Sequence, residues 1–488
     1  MLTFTQVWNA LGPEIVLAIG GFVAMVYEFM VTGRAKQGTP WIAVLSVLTA
    51  IPLAWSKLHA PLATYSIAVI AVDDFGTIFS LFILVSVLLV LLFAIASQAR
   101  LKLAFEYAYL VLFATVGAMV ICSALDLVTL YVGLELLSIT TYVLVALHRK
   151  NVKSSEAGLK YLIIGSIASA IILYGLSFLY GVAGSTGLSR IATALQGGYG
   201  SEPGLVYLSI ALILAGIFVK ISAAPFHLWT ADVYEGAPTP ITAYLAVVSK
   251  GAVLGFLFRV IVWLFGAKLG EWFGLVGWIA IITMVIGNLG ALSQRNIKRL
   301  LAYSSIGQAG YLLIPFSSLS SSTLASVMWQ NLSSTVFYLF AYSFMTIGAF
   351  AVFSVVADAS GSEDVHAFTG LSKRSPWLAG MMTLFLLSLS GLPLTAGFFG
   401  KFSIFLGALG AGQIWLGVVL FATSAIAFYY YFGIIRAMYG RTQEGDASPV
   451  RSSPMQHVVV ALCAIGTLWL GIFPGPVTDL LSNLHWFG

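Results

Sequence analysis

Four ionisable side chains lie inside apolar runs. Glu135 sits in LDLVTLYVGLELLSITTYVLV, Lys220 in GIFVKISAAPFHLW, Lys250 in ITAYLAVVSKGAVLGF and Lys401 in SGLPLTAGFFGKF. A lysine in hydrocarbon costs roughly 2.5–3.5 kcal/mol on insertion scales, and such residues face a bundle interior or water and mark ion or proton paths. Desolvation lowers an amine's pKa, and a nearby carboxylate restores it. A lysine with a movable carboxylate partner can therefore switch protonation state near neutral pH, which is what a proton relay needs. Moving one charge across 100 mV takes about 2.3 kcal/mol, close to a change of about one to two pKa units. The plainer reading is a lysine that snorkels to the headgroups, or a static ion pair that only fixes packing. Snorkelling is poor for Lys220 and Lys250, which lie about eight or more residues from either end of their runs. It is favoured for Lys160 and Arg259, nearer run ends. Glu14 and Glu28 also lie near run ends and read as structural, and Asp126 reads as a helix N-cap.

Composition says which elements position these groups. Of 488 residues, 60% are hydrophobic and 8% charged, too apolar for soluble domains of this length. Apolar runs of about 18 or more residues recur, which predicts an all-α polytopic membrane protein. A membrane β-barrel is excluded, because its strands would alternate every second residue. About fourteen transmembrane helices are legible, among them 12–31, 125–147, 204–228, 238–264, 298–315 and 376–408. The N-terminal MLTFTQVWNALGPEIV lacks the basic flank of a cleavable signal. Cys122 and Cys463 stand alone, and no CxxC, His/Cys cluster, haem signature or Gly-rich nucleotide fingerprint occurs. No metal or cofactor is therefore expected on this chain. GGYGSEPG, at 197–204, reads as a loop.

The basic residues divide unevenly. On one side fall Arg34, Lys36, Arg100, Lys102, Arg149, Lys150, Lys153, Arg295, Lys298, Arg299, Lys373, Arg374, Arg436, Arg441 and Arg451. The other side has Lys57, Arg190, Lys268 and, near a run end, Arg259. The positive-inside rule then puts both termini on the non-cytoplasmic side. The formal charge of +5 needs no nucleic acid to explain it.

Two runs carry a helix breaker near a lysine. Pro225 follows Lys220 in the seventh, and Pro393 precedes Lys401 in the twelfth. A proline frees backbone groups, and in a membrane these must be buried in protein or line a wet cavity. Discontinuous helices at matching positions of two inverted halves point to a transport site. Runs four to eight and nine to thirteen then form two inverted five-helix repeats. The segments are 1–105 (three helices), 106–265 (first repeat), 266–440 (second repeat) and 441–488 (a last helix). Ser304, Ser305, Gln308 and Tyr311 share one face of the tenth run, as a proton path or as interhelical hydrogen bonding. His227, at the mouth beside Pro225, reads equally as a proton-uptake group or a satisfied structural histidine. GAVLG at 251–255 reads as packing, and Tyr429, Tyr430 and Tyr431 as an interfacial aromatic belt.

PFHLWTADVYEGAPTPITAYLAVVSK (225–250), NIKRLLAYSSIGQAGY (296–311) and LSLSGLPLTAGFFGKF (387–402) resemble the antiporter-like membrane subunits of complex I, the proton-translocating NADH:quinone oxidoreductase. DVYEGAP followed by a lysine in the eighth run is more like the subunit N branch than L or M. Subunit L carries a long C-terminal lateral helix that is not seen here, and M looks to have a glutamate where this chain has Lys401. The resemblance spans essentially the whole chain. It implies fourteen helices, with Glu135 and Lys220 as the coupled pair of a first half-channel. Lys250 would be the central connecting lysine and Lys401 the end of a second half-channel. It further implies a bacterial inner-membrane location, lipid and the other membrane subunits as partners, and NADH, FMN, Fe–S clusters and quinone on those partner subunits. Gln308 departs from the family, where many members carry a histidine. A glutamine cannot take up a proton at neutral pH, though it can hold water.

The resemblance thus implies a proton pump driven by electron transfer on other chains. Two other readings stand beside it: a cation/proton antiporter, and a membrane scaffold whose buried charges only fix packing. The electron donor, NADH or ferredoxin, is open, because ferredoxin-using photosynthetic relatives share much of the seventh-run motif.

Overall fold

Every extended element is a helix among the described residues, with only isolated β-bridges beside them. The computed structural model describes residues 3–59, 66–101, 103–195, 203–261, 270–317, 325–440, 449–450 and 452–486. The Gly-rich loop at 197–204 falls almost wholly outside them, as do Lys102, Lys268, Arg441 and Arg451. Eleven described helices are long and apolar enough to cross a membrane. Helices satisfy every backbone group within the segment, which hydrocarbon demands. The chain is an integral membrane protein.

Element ends follow local chemistry. The Leu127–Val145 helix starts where expected, because the Asp126 carboxylate accepts the N–H groups of Val128 and Thr129. The first helix runs Phe4–Met30, eight residues earlier than the expected start at 12, because Thr3 and Gln6 form a capping box. Glu14 is therefore well inside a helix and buried, not near its end.

Both lysine-bearing runs break. The Pro203–Lys220 helix stops at Lys220 itself, short of the expected 228, and helix resumes at Thr230–Gly236. Ser222 takes a left-handed φ of 64°, and Pro225 has no N–H to continue a helical ladder. In the later run, Pro376–Ser390 ends on Gly391 at φ 89°. Pro393 lies in the gap, and Ala396–Gly410 follows. A Cβ at Gly397 would lie 1.8 Å from the Ser388 carbonyl oxygen, so the two half-helices meet this closely only over glycine.

Thr239–Tyr244, a π turn at Leu245–Ser249, and Lys250–Val260 form one fully buried column. A π turn was not legible in the sequence; such turns often sit at functional positions. GAVLG is a packing surface, as expected: a Cβ on Gly251 would lie 2.3 Å from Phe82, and one on Gly255 2.6 Å from Cys122.

Arg259, expected to snorkel, is instead 0% exposed. It holds Asp73 through both terminal nitrogens, at 2.5 and 2.9 Å, and donates to the Cys122 carbonyl. Asp73 lies just before the Asp74–Leu101 helix, so its position supplies a partner that run position alone could not foretell. Removing one member of a buried pair strands the other at roughly 3–5 kcal/mol. Asp73→Ala should lower the thermal unfolding temperature of the detergent-purified protein sharply. A paired apolar replacement, Asp73→Leu with Arg259→Met, should recover most of the loss.

Candidate functional site

The breaks supply what the lysines need. A helix leaves its last carbonyls without partners, and its C-terminal end favours positive charge. Lys401 Nζ donates to the freed carbonyls of Leu389 (2.9 Å) and Ser390 (3.3 Å), and to Ser424 Oγ at 3.2 Å. It also sits 4.6 Å above the Tyr311 ring. Lys220 is the last residue of its own half-helix. Its Nζ donates to Ser138 Oγ (2.7 Å), Ser169 Oγ (2.8 Å) and Tyr142 OH (3.3 Å). Lys250 Nζ donates to both the hydroxyl and the carbonyl of Ser305, each at 2.7 Å. Among the described residues none of the three lysines has an ion pair.

Glu135 and Lys220, expected as a coupled pair, form no direct ion pair among the described residues. Three hydroxyls use the three donors of the ammonium. Glu135 lies one turn before Ser138, on a half-buried face beside exposed Val132 and Leu136. Its Oε1 is buried with no hydrogen-bond partner. The two charges still feel each other, without touching.

Polar groups join the lysines. Tyr142 packs edge-on against Tyr161 at 4.8 Å, and the Tyr161 hydroxyl lies near Thr141 and Ser249, the latter next to Lys250. Beyond Lys250, the Ser305 hydroxyl accepts from Tyr342 OH at 2.9 Å. Tyr338 OH donates to the Gln308 amide oxygen, and the Gln308 amide donates to Leu389 O at 3.4 Å, the carbonyl that also serves Lys401. Ser424 reaches Tyr311 OH at 3.5 Å, and Asn288 bridges Tyr311 (3.2 Å) and Tyr430 (3.1 Å). Ser304 bonds to Tyr431. The whole Ser304, Ser305, Gln308 and Tyr311 stripe is thus buried and engaged.

Two expectations change. Tyr430 and Tyr431 are buried in this network, and only Tyr429 is exposed. Successive helix residues turn by about 100°, so three adjacent tyrosines cannot share one belt. His227 lies buried in the first break with Nδ1 unpartnered, and no hydrogen bond ties it to a lysine. Tyr161, Asn288, Tyr338 and Tyr342 were missed. The spacing of four between Tyr338 and Tyr342 was the available signal.

A charged cluster clamps the Thr230–Gly236 helix after the break. Lys160 and Arg299 each meet Asp232 at 2.8 Å, and Lys153 and Arg299 each meet Glu235 at 2.8 Å. Lys160 is therefore paired, where snorkelling was expected. Lys153, Lys160, Asp232 and Glu235 of the cluster line a cavity of about 120 Å³.

A family model described as "NADH:quinone oxidoreductase/Mrp antiporter, TM" matches residues 124–427. Subunit N of NADH-quinone oxidoreductase from Brevibacillus brevis is 41% identical over 496 residues, covering 98% of this chain and 95% of that one. The chain belongs to this family, in its subunit N branch. Subunit N from Paenibacillus sp. is 40% identical over 498 residues, covering 96% of this chain and 94% of that one. A chain of respiratory complex I from Thermus thermophilus with bound aureothin has a TM-score of 0.80 at 31% identity, covering 96% of this chain and 99% of that one. The matched family segment contains Glu135, Lys220, Lys250 and Lys401, while the helices Phe4–Met30, Thr39–Trp55, Asp74–Leu101 and Tyr107–Ser123 precede it.

The clamp has a pH signature. Burial pushes the Asp232 and Glu235 carboxyls up, but hydrogen bonds from Lys160 and Arg299, and from Lys153 and Arg299, outweigh it and hold both below the usual range. Groups lowered in this way stabilise the fold above their unfolded pKa, about 3.9 for Asp and 4.3 for Glu. That stability is lost as pH falls through the folded values. The difference in thermal stability between wild type and an Asp232→Asn, Glu235→Gln variant should be flat above about pH 5.5 and shrink toward zero in stronger acid.

Proposed function

We propose that this chain is the proton-translocating membrane subunit of a NADH:quinone oxidoreductase. It works without a redox centre of its own and is driven by electron transfer in partner subunits that hold NADH, FMN, Fe–S clusters and quinone. Its neighbours are the other membrane subunits and lipid of a bacterial inner membrane, with both termini on the non-cytoplasmic side. In this reading the helices make fourteen crossings. The crossings fall into the 1–105, 106–265, 266–440 and 441–488 segments, with the two central segments as inverted repeats.

One observation carries the reading: three lysines, Lys250 and Lys401 buried and Lys220 half-buried, are each ligated by neutral oxygens along one nearly continuous polar track. A lysine in a buried ion pair resists losing its proton, because deprotonation strands the carboxylate. A lysine held by hydroxyls and carbonyls leaves no such charge behind. Hydroxyls both donate and accept, so Ser138, Tyr142, Tyr161, Ser249, Ser305 and Tyr342 can reverse their hydrogen bonds as a proton passes. Gln308 bridges Tyr338 to the Leu389 carbonyl without titrating, and water completes the route. Glu135 acts by charge, biasing Lys220 between states.

The test is Lys250→Ala and Lys220→Ala in the assembled complex, with quinone reduction and proton uptake read in the same vesicles. Both rates should fall together by about tenfold, a barrier increase of about 1.4 kcal/mol, with assembly intact. Wild-type rates for both in an intact complex would make the lysines structural and sink the reading.

A further inference from the structure

A second set of buried ionisable groups lies apart from the lysine track, among the first three helices. Pro13 sits inside the first helix, which kinks at Leu11 (φ −119°, ψ 17°). Glu14 turns its carboxyl onto its own backbone N–H. The carbonyl that this N–H would meet in a regular helix is Ala10 O. That carbonyl accepts from Lys57 Nζ at 2.7 Å. Lys57 thus spends a donor on the kink rather than on Glu14, although the two charges interact. Glu14 is 8% exposed, and its Oε2 has no hydrogen-bond partner among the described residues.

That carboxyl faces a cavity of about 20 Å³ whose walls include Lys57, Gly76, Thr77, Ser80 and Ser123. One water needs roughly 10–15 Å³ and two to four polar partners, and this space offers a carboxyl, an ammonium and three hydroxyls. An ionised carboxylate this buried is costly unless paired or hydrogen-bonded. Lys57 is half-buried and lies beyond the end of its helix. Burial pushes its amine down, and the Glu14 charge offsets part of that.

We propose that Glu14, Lys57 and one water form a second protonatable site. It exchanges a proton with the aqueous phase at the end of the bundle away from the Asp232–Glu235 clamp. The Lys57 ammonium passes a proton through the water to Glu14 Oε2: an N–H bond breaks, an O–H bond forms, and the neutral amine is re-protonated from outside. The net change is one proton taken up. Every wall residue precedes residue 124, so the site lies outside the matched family segment. Its state is felt within that segment. A Cβ on Gly76, a wall residue, would lie 3.1 Å from Asp73 and 3.2 Å from Arg259, in the last turn of the helix begun by Lys250. The charged and titratable groups around the site are Lys57, Asp73, Arg259 and Cys122, with Asp74, His59 and His485 beyond them.

The experiment is a pH titration of carboxyl infrared bands in the purified assembled complex. A protonated-carboxyl band should shift in D₂O and vanish in Glu14→Gln. In Lys57→Met its midpoint should rise by about one pH unit, because a cation that favours the carboxylate is gone. Carboxyl bands unchanged in Glu14→Gln would overturn the site, and so would a midpoint unmoved in Lys57→Met. If the glutamine variant does not assemble, Glu14→Asp must displace the band, and a band that ignores it also overturns the proposal. None of these readings depends on pumping through the lysine track.

Discussion

A helix broken inside hydrocarbon leaves carbonyls that water cannot reach, and a lysine buried there needs acceptors. The contact between Lys401 and the carbonyls of Leu389 and Ser390 answers both demands at once. The chain break and the charge are therefore one feature. Without the lysine the break would strand its carbonyls, and without the break the ammonium would find fewer oxygens. Lys220 differs: it ends its own half-helix and is received by hydroxyls from two neighbouring helices, while carbonyls of that break accept from Ser222, Ala223 and Trp229.

The charges divide by what surrounds them. Where structure must be held, carboxylates meet cations directly: Asp73 with Arg259 in the interior, and Asp232 and Glu235 with Lys153, Lys160 and Arg299 at one end. Along the track between the breaks, the lysines meet neutral oxygens. A direct ion pair locks protonation states, because either partner left alone in low dielectric is costly. Neutral ligands leave the proton free to move. The charged clamp on the short Thr230–Gly236 helix holds the far side of the first break.

The sequence alone determined that this is a helical membrane protein, that helices break near Pro225 and Pro393, and that Lys250 and Lys401 are buried. Hydrophobic run length and the conformational limits of proline are local properties, so they are legible in one dimension. The Asp126 cap and the packing role of Gly251 and Gly255 were legible for the same reason.

Only the tertiary structure decided who meets whom. Glu135 was expected to form a coupled pair with Lys220, and the ammonium itself is held by Ser138, Tyr142 and Ser169, the last from 51 residues away. Arg259 looked like a snorkelling residue until Asp73, 186 residues earlier, closed on it. Tyr430 and Tyr431 looked interfacial until the rotation of their helix placed them against Asn288 and Ser304. Run position indicates how deep a side chain lies in a membrane, but not which way it faces or what faces it. Those depend on helix rotation and packing between distant segments, which no local pattern encodes.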